Sequence, residues 1–555
     1  MLKSPPSRKD ALFLCLFTLL ITYQPFILHE QIRYWELTIY LPAIQAVFEG
    51  LIPYRDFFYL RGPLEIYVPA LLMKIFGQSI PVLSYYFYIG TVICYIILTF
   101  IARHLYKTRL FLYLAIPVVV ALTFPYVYYY DWGGMRYALG LLALACTVFY
   151  FKKPRTRLIY LNAFFSAACL LTSVDVGVCS IAGLLSGLVM AKALGTLARK
   201  EFRHYLKHYI AGLAVLGGTY IGYLIATGSL AAYLDSTISV ATGMTRAFDT
   251  PQNNKYPADL TQWILTLFPA SKNFQQMTPI YCYLSFMAYT FYLHRRKKLY
   301  PFYSALICIA AYGFFLFVVA WRIIQNAHFE MALLPEKLIL FFLLEQAFLI
   351  LREKKGRSPL LSYVFIFSLI TLLLSSWLYA LTRLNRRFVS FKIARNVLTG
   401  KSIDPLKPNP GVPKKRLELA TLRGMVVPAS DAKEYEDIIG IIQKITKPDE
   451  AVLFFPEHGM YNFLTGRIFA TRFATVKYVW FNDKWQGQFM RDLKAQKPRI
   501  IAVQDPIPES WRNLVLWSDL NLKKFNEIYG YIQENYRVIQ KTATFTIYET
   551  NPSSR

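Results

Sequence analysis

The stretch YWELTIYLPAIQAVFEGLIPYRDFFYLRGPLEIY, residues 34–67, follows the first apolar segment of the chain and begins with an acid between aromatic residues. Apolar residues recur in it at helical spacing until Gly50 and Pro53 stop the helix. The pattern predicts a short amphipathic helix that cannot span a membrane and lies along its outer surface. Glu36 lies at the start of this helix. Interaction with the helix dipole alone lets an acid at this position stabilise the helix by about 0.3–1 kcal/mol. The predicted apolar face consists of Leu37, Tyr40, Leu41, Ile44, Val47 and Phe48.

The composition is that of a membrane protein. Only 17% of the 555 residues are charged and 55% are hydrophobic, whereas ordinary soluble proteins carry about 25% charged residues. The net charge of +28 comes from short basic clusters between apolar runs, where orientation signals are expected, so we predict no nucleic-acid partner. The seven cysteines all lie in or beside apolar runs, which argues against a disulfide framework.

Apolar runs predict a polytopic α-helical protein with about eleven transmembrane helices. Lys and Arg concentrate in every second connection, which places these connections and the N-terminus in the cytoplasm and the C-terminus outside. A Gly-x-x-x-Gly pattern at 218–222 is a weak signal for close helix packing. The runs lie near residues 11–28, 80–102, 110–124, 136–151, 158–173, 176–194, 209–227, 279–293, 301–321, 337–351 and 359–381.

The chain divides by composition into three parts. We predict a transmembrane core over residues 1–385, a basic, Pro-rich linker over 386–430 and an exported small α/β domain over 431–555. This last domain has no cluster of acids or ligands, and Glu457 and His458 have no second His or Cys beside them, so we expect it to be accessory. Its predicted helices are 431–445 and 525–536, and its predicted strands are 451–455, 499–504, 536–540 and 544–549.

The first loop resembles that of the GT-C superfamily of membrane glycosyltransferases, in particular relatives of protein mannosyltransferases and of lipid A aminoarabinose transferases. Residues 453–467 also look like a stretch of bacterial members. The superfamily usually has Asp at the leading position, often followed by Glu, whereas this chain has Glu36 and then Leu37. The matching residues are Glu36, Tyr40, Ala46, Gly50, Pro53, Tyr54, Asp56, Gly62, Pro63, Phe76 and Gly77.

The resemblance implies inverting transfer of a sugar from a polyprenyl-phosphate donor to an envelope lipid, glycan or protein at the outer face. It also makes Glu36 the catalytic base. A polyprenyl phosphate is a good leaving group, so no general acid is needed, unlike in glycoside hydrolysis. One carboxylate that takes the proton of the acceptor hydroxyl can therefore suffice.

Further polar residues are candidates for substrate binding, each with a structural alternative. Asp56, with Tyr54 and Arg55 beside it, could bind donor or acceptor, or form a loop salt bridge. Arginines on the outer side could hold the leaving phosphate through their planar fork, or snorkel at the interface; these are Arg61, Arg136, Arg246 and Arg322. His328 lies in the same connection as Arg322, and Asp175 lies at an outer turn, where a helix cap is the alternative.

Two other functions compete with sugar transfer. A transporter or lipid flippase could use Glu345 and Asp175 as a proton relay, and a non-catalytic assembly protein could present the C-terminal domain. Most spans, however, have no polar residues along a pathway through the bilayer, which favours the enzyme. The chain has no Asn-x-Ser/Thr site, which favours a bacterial cytoplasmic membrane. We predict no cofactor and leave dependence on a divalent metal open.

Overall fold

The computed structural model describes residues 4–23, 34–124, 134–247, 272–321, 326–353, 413–478, 481–509 and 518–551, with isolated positions between them. Helices dominate the chain as far as residue 353. They are α1 (Arg8–Thr22), α2 (Tyr34–Phe48), α3 (Leu64–Phe76), α4 (Ile80–Leu105), α5 (Arg109–Thr123), α6 (Met135–Lys152), α7 (Thr156–Thr172), α8 (Val174–Ala193), α9 (Arg199–Ala226), α10 (Leu230–Ala247), α11 (Lys272–Arg295), α12 (Phe302–Trp321), α13 (Asn326–Ala332) and α14 (Leu334–Glu353).

Several of these helices identify a multi-pass membrane protein. Within the described ranges, α4, α6, α8, α9 and α12 are long and apolar enough to cross a membrane. The predicted number of about eleven spans is not confirmed, since α5 and α7 have only 15 and 17 residues. The predicted apolar run at 359–381 and the end of the first run, from residue 24, lie outside the described residues, and the described parts of the other runs fall on helices.

The chain forms two compact units that are not consecutive in sequence. One comprises Met1–Gln24, Phe87–Gly218 and Pro251–Ile403. The other comprises Pro25–Tyr86, Thr219–Thr250 and Asp404–Arg555, and so joins the first loop to the C-terminal domain. Our sequence-based division was consecutive, with boundaries after residues 385 and 430, because apolar runs do not show which distant segments pack together.

Close helix packing in the first unit comes from a glycine pair on α8. A Cβ at Gly183 would lie 2.6 Å from the Cα of Tyr312, and one at Gly187 would lie 2.7 Å from the Cα of Cys308. These two glycines let α8 approach α12 closely. The Gly-x-x-x-Gly pattern at 218–222 shows no such close approach. A Cβ at Gly218 or Gly222 would meet no atom of the described residues within 4 Å.

The C-terminal domain is a small α/β fold, as its sequence pattern predicts. Its sheet has the order β3-β4-β6-β5, with β3 and β4 parallel and the other pairs antiparallel. A hairpin of β1 and β2 precedes it and lies inside the stretch that we assigned to the linker. The elements are β1 (Lys414–Arg416), β2 (Val426–Pro428), α15 (Ala429–Ile445), β3 (Val452–Phe455), α16 (Met460–Thr465), α17 (Asp483–Gln496), β4 (Ile500–Gln504), α18 (Asp519–Asn535), β5 (Tyr536–Lys541) and β6 (Phe545–Thr550).

Helix α2 is less amphipathic than its sequence pattern indicates. Tyr40 and Ile44 of the predicted apolar face are fully buried, but Thr38 and Gln45 on the other side are buried as well. The amphipathic pattern predicts that this second face is exposed. That prediction is wrong, because a segment of the C-terminal domain packs against the face. The Gln45 side-chain amide donates to the carbonyl of Arg467 at 3.2 Å.

Candidate active site in the first loop

Glu36 and Arg61 form a buried ion pair. The Nη2 of Arg61 donates to Oε2 of Glu36 at 2.7 Å, and each residue is only 8% exposed. Glu36 lies in the first turn of α2, and Tyr40 follows one helical turn later, so both side chains face the same way. Arg61 lies just before α3, and it also donates to the Tyr40 hydroxyl. The loop between α2 and α3 therefore folds back to bring its arginine to the predicted base.

A second carboxylate lies on the same guanidinium. Oε1 of Glu65 is 3.5 Å from Nη1 of Arg61, and Glu65 is fully buried in the first turn of α3. The sequence analysis missed Glu65, although its spacing of four residues from Arg61 is the spacing at which side chains on one helix face meet. Arg61 is thus held between two carboxylates that come from two different helices.

The charges of this site are strongly coupled. Burial alone would lower the pKa of Arg61, but Glu36, Tyr40 and Glu65 together raise it well above its usual range. Removing one partner from a buried ion pair leaves an uncompensated charge, whereas an intact pair is tolerated. The guanidinium therefore stays charged and orients both carboxylates.

Tyr54 fixes the turn that carries Arg61. Its φ is +68°, a left-handed conformation that is uncommon for a residue with a side chain. The backbone N–H of Tyr54 donates to the carbonyl of Phe57 at 2.9 Å, and its buried hydroxyl donates to the carbonyl of Arg61. Backbone strain of this kind persists where the surrounding structure imposes it and often marks functional sites.

Arg55 and Asp56 interact with each other and with their own turn. Nε of Arg55 lies 2.7 Å from Oδ1 of Asp56, and Oδ2 of Asp56 accepts the backbone N–H of Ile52 at 2.7 Å. The hydrogen bonds from Arg55 lower the pKa of Asp56. Because both side chains remain partly exposed, this geometry agrees with the structural alternative of a loop salt bridge. Their contact with substrate stays a prediction.

The C-terminal domain packs directly against this loop. The backbone N–H of Met460 donates to the Thr38 hydroxyl at 3.3 Å, and the N–H of Phe58 donates to the carbonyl of Arg472 at 2.9 Å. The ring of Phe58 lies 4.6 Å from that of Trp485. These contacts bring Met460, Arg472 and Trp485 of the C-terminal domain against residues 38–58, which no pattern in the sequence predicted.

Lys477 brings a second buried cation to the same region. It is 1% exposed, and its Nζ lies 3.2 Å from Oε2 of Glu457. Burial lowers the pKa of Lys477, although Glu457 and then Glu36 attract the ammonium in the opposite direction. His458 is also buried, and burial lowers its pKa to about 4. The sequence analysis singled out Glu457 and His458 but found no signal for Lys477.

A cavity lies in the same region, lined among others by Lys477, which interacts electrostatically with Glu36 and Arg61. Its empty volume is about 360 Å³, part of it open to solvent. Segments of α2, of the first loop and of the C-terminal domain form its wall. The lining residues are Thr38, Ile39, Ala43, Phe57, Phe58, Tyr59, Leu60, Ala474, Thr475 and Lys477.

The remaining predicted site residues belong to the other unit, except Arg246, which belongs to the same unit as the first loop. Arg136 is 2% exposed, and its Nη1 lies 3.4 Å from the hydroxyl of Ser173. The same hydroxyl donates to Asp175 in the first turn of α8, so the fold links Arg136 and Asp175 through Ser173. Arg322 lies outside the described residues. For His328, in α13, and Arg246, in α10, only the backbone is described.

Glu345 has a structural role at the start of α5. Its carboxylate accepts the backbone N–H of Lys107 at 2.9 Å and both the N–H and the hydroxyl of Thr108 at 2.8 Å. It thereby satisfies donors at a helix N-terminus that have no partner within the helix. A carboxylate held by several donors is poorly suited to relay protons.

The described residues of this site do not form a ready-made metal site. Within the described residues, no group of three His, Cys, Asp or Glu side chains is arranged to hold a metal ion. Glu36 and Glu65 do approach each other, but the guanidinium of Arg61 occupies the position between them. We therefore derive no step through a metal.

Comparison with solved structures relates the whole chain to membrane glycosyltransferases. ArnT from Cupriavidus metallidurans, solved with undecaprenyl phosphate, matches over 98% of this chain and 97% of its own, with a TM-score of 0.50 and 11% identity. The Archaeoglobus fulgidus oligosaccharyltransferase, solved with Zn and sulfate, matches over 98% of this chain and 73% of its own, with a TM-score of 0.50 and 10% identity. Both are GT-C glycosyltransferases.

The chain has the GT-C fold. The predicted resemblance of the chain to this superfamily is confirmed at the level of the fold. A second structure of the oligosaccharyltransferase, tethered to an acceptor peptide, gives a TM-score of 0.51 at 10% identity. No protein-family profile and no curated protein matches this sequence. At such low identity the shared property is the GT-C fold, and residue roles must be argued from the site itself.

Proposed function

We propose that this protein transfers a sugar, with inversion, from a polyprenyl-phosphate donor to an envelope lipid, glycan or protein at the outer face of a bacterial cytoplasmic membrane. The observation that carries this proposal is the buried Glu36–Arg61 pair in the first loop. Its context supports it, because the fold is shared with ArnT, which was solved with undecaprenyl phosphate. We place the N-terminus in the cytoplasm and the C-terminal domain outside.

Glu36 acts as the general base in this proposal. As the acceptor oxygen attacks the anomeric carbon, its proton passes to the Glu36 carboxylate, and the carbon–oxygen bond to the lipid phosphate breaks. The phosphate leaves with the bonding electrons, and the attack from the opposite side inverts the anomeric centre. Arg61 orients the carboxylate through its 2.7 Å hydrogen bond, and its contacts with Tyr40 and Glu65 hold the guanidinium in place.

The remaining predicted residues have secondary roles in this proposal. Tyr54 stabilises the turn that carries Arg61. Arg55 and Asp56 lie in the same turn and remain substrate-binding candidates. Arg136, Asp175, Arg322 and His328 are retained as substrate-binding candidates of the other unit. The alternative function, a lipid flippase with Glu345 in a proton relay, is weaker because three donors of the α5 N-terminus hold that carboxylate.

The test compares envelope lipids and glycans by mass spectrometry in cells lacking the protein and in cells complemented with variants. We expect wild-type protein to restore a mass difference of one sugar and Glu36→Gln to fail. Glu49→Gln is the matched control, because Glu49 follows the same helix but is exposed. Indistinguishable envelopes with and without the wild-type protein would refute the proposed function, and restoration by Glu36→Gln would refute the role of Glu36.

A further inference from the structure

Tyr59 carries a buried hydroxyl in the first loop. Tyr59 is 1% exposed, and among the described residues its hydroxyl makes no hydrogen bond. Burial of a hydroxyl without a hydrogen bond is unfavourable, and most buried polar groups in proteins are satisfied. The Tyr59 hydroxyl can therefore donate to a ligand without giving up a hydrogen bond within the described residues.

The position of Tyr59 indicates where that partner lies. Tyr59 lines the cavity of about 360 Å³, together with Phe58, Thr38 and Lys477. Its hydroxyl interacts electrostatically with the nearby groups of Glu65, Arg61, Tyr86 and Glu36. Tyr59 therefore belongs both to the cavity wall and to the surroundings of the predicted base.

The chemistry of the wall fits an oxygen-rich ligand. Tyr59, Thr475 and Lys477 give the wall hydroxyl and ammonium groups, and Phe57 and Phe58 give it apolar surface. Pockets of this composition hold ligands by apolar contact and orient them through a few polar groups. A sugar has this combination of apolar ring faces and hydroxyls, and a phosphate shares the acceptor oxygens.

We propose that the Tyr59 hydroxyl is a substrate-binding group, which donates its hydrogen bond to a sugar or phosphate oxygen in the cavity between α2, the first loop and residues 474–477. This inference rests on the proposed function and names a contact residue of that same site. It makes the C-terminal domain a wall of the binding cavity rather than an accessory part.

The first arm of the test uses Tyr59→Phe in the full-length protein. Because the change removes a hydroxyl that makes no hydrogen bond among the described residues, the thermal midpoint should stay equal or rise. Sugar transfer, measured by the envelope assay at limiting expression, should fall about tenfold, the factor for one ordinary hydrogen bond. Tyr536→Phe is the matched control, since Tyr536 is 3% exposed and its hydroxyl also makes no hydrogen bond among the described residues. It should leave transfer unchanged.

The second arm identifies the oxygen that Tyr59 binds. Undecaprenyl phosphate is added to purified wild-type and Tyr59→Phe protein, and the rise of the thermal midpoint is compared. A smaller rise in the variant assigns the hydroxyl to the lipid phosphate. An equal rise, together with reduced transfer, assigns it to a sugar hydroxyl.

Two outcomes would overturn the inference. A lower thermal midpoint of Tyr59→Phe would show that the hydroxyl has a partner within the protein, and unchanged transfer would show that it touches no substrate. If even wild-type protein leaves the envelope unchanged, the proposed function fails. In that case the experiment with undecaprenyl phosphate still tests Tyr59. A smaller rise of the thermal midpoint in Tyr59→Phe than in the wild type supports its ligand role, and an equal rise refutes it.

Discussion

Arg61 bridges Glu36 and Glu65, with separations of 2.7 and 3.5 Å between nitrogen and oxygen. One carboxylate belongs to the helix before the loop and the other to the helix after it. The guanidinium therefore ties both ends of the first loop together and fixes the orientation of the predicted base. The two carboxylates share one cation but have different predicted roles, which makes them separable by substitution.

Glu36→Gln should lower turnover about 10²–10⁴-fold, the usual contribution of a general base, because the amide cannot take the acceptor proton. Glu65→Gln keeps the Glu36–Arg61 pair and should lower turnover far less. Single-turnover rates of the purified variants with a lipid-linked donor provide the measurement, after thermal unfolding has shown that both are folded. Equal losses in the two variants would contradict the assignment of Glu36 as base.

Lys477→Met should destabilise the C-terminal domain by about 3–5 kcal/mol, since it leaves the buried Glu457 carboxylate without its cation. The double variant Lys477→Met, Glu457→Gln should regain part of this loss. Hydrogen exchange of the Ile500–Gln504 amides reports the opening free energy of the domain. The exposed Lys433→Met is the control and should change little. If Lys477→Met alone were as stable as the wild type, Lys477 and Glu457 would not be energetically coupled.

The C-terminal domain should lose stability below neutral pH because of His458. Its pKa is about 4 in the folded protein and about 6.5 when unfolded, so between these values the unfolded chain binds more protons. Stability is therefore fully present above pH 6.5 and falls as the pH drops toward 4. The His458 contribution at pH 5 should be about 2 kcal/mol below that at pH 7.

Thermal unfolding of the full-length protein between pH 5 and 7 measures this dependence. His458→Phe keeps a ring next to Phe545, whose centroid lies 5.2 Å from that of His458, but cannot be protonated. The variant should therefore be less sensitive to pH over this range. A pH dependence identical to that of the wild type would exclude His458 as its source.

Cysteine labelling tests the predicted orientation in the membrane. Cysteines introduced at the exposed positions Thr242 and Ser430 should react with an impermeant thiol reagent in spheroplasts, and one at Lys153 should not. Ser229 is unsuitable, because it is fully buried. The seven native cysteines are all buried and should stay silent. Labelling at Lys153 with protection at the other two sites would reverse the topology.

Local patterns in the sequence determined much of the fold. Long apolar runs predicted the membrane helices, because a buried span needs many consecutive apolar residues. Short strand-like segments between helical ones predicted the strands that are observed as β3, β4, β5 and β6. The acid and turn of residues 36–56 indicated the GT-C fold. Each of these signals is contained in a short window of the chain.

The neighbours of the site depended on tertiary structure. Lys477 is far from Glu36 in sequence, and Glu65 looks like any acid in the first turn of a helix. Only folding buries these groups together, and only then do their charges act on one another strongly, because water no longer screens them. The Tyr59 hydroxyl, which makes no hydrogen bond among the described residues, was likewise invisible in the sequence, since hydrogen-bond partners are a property of the packed structure.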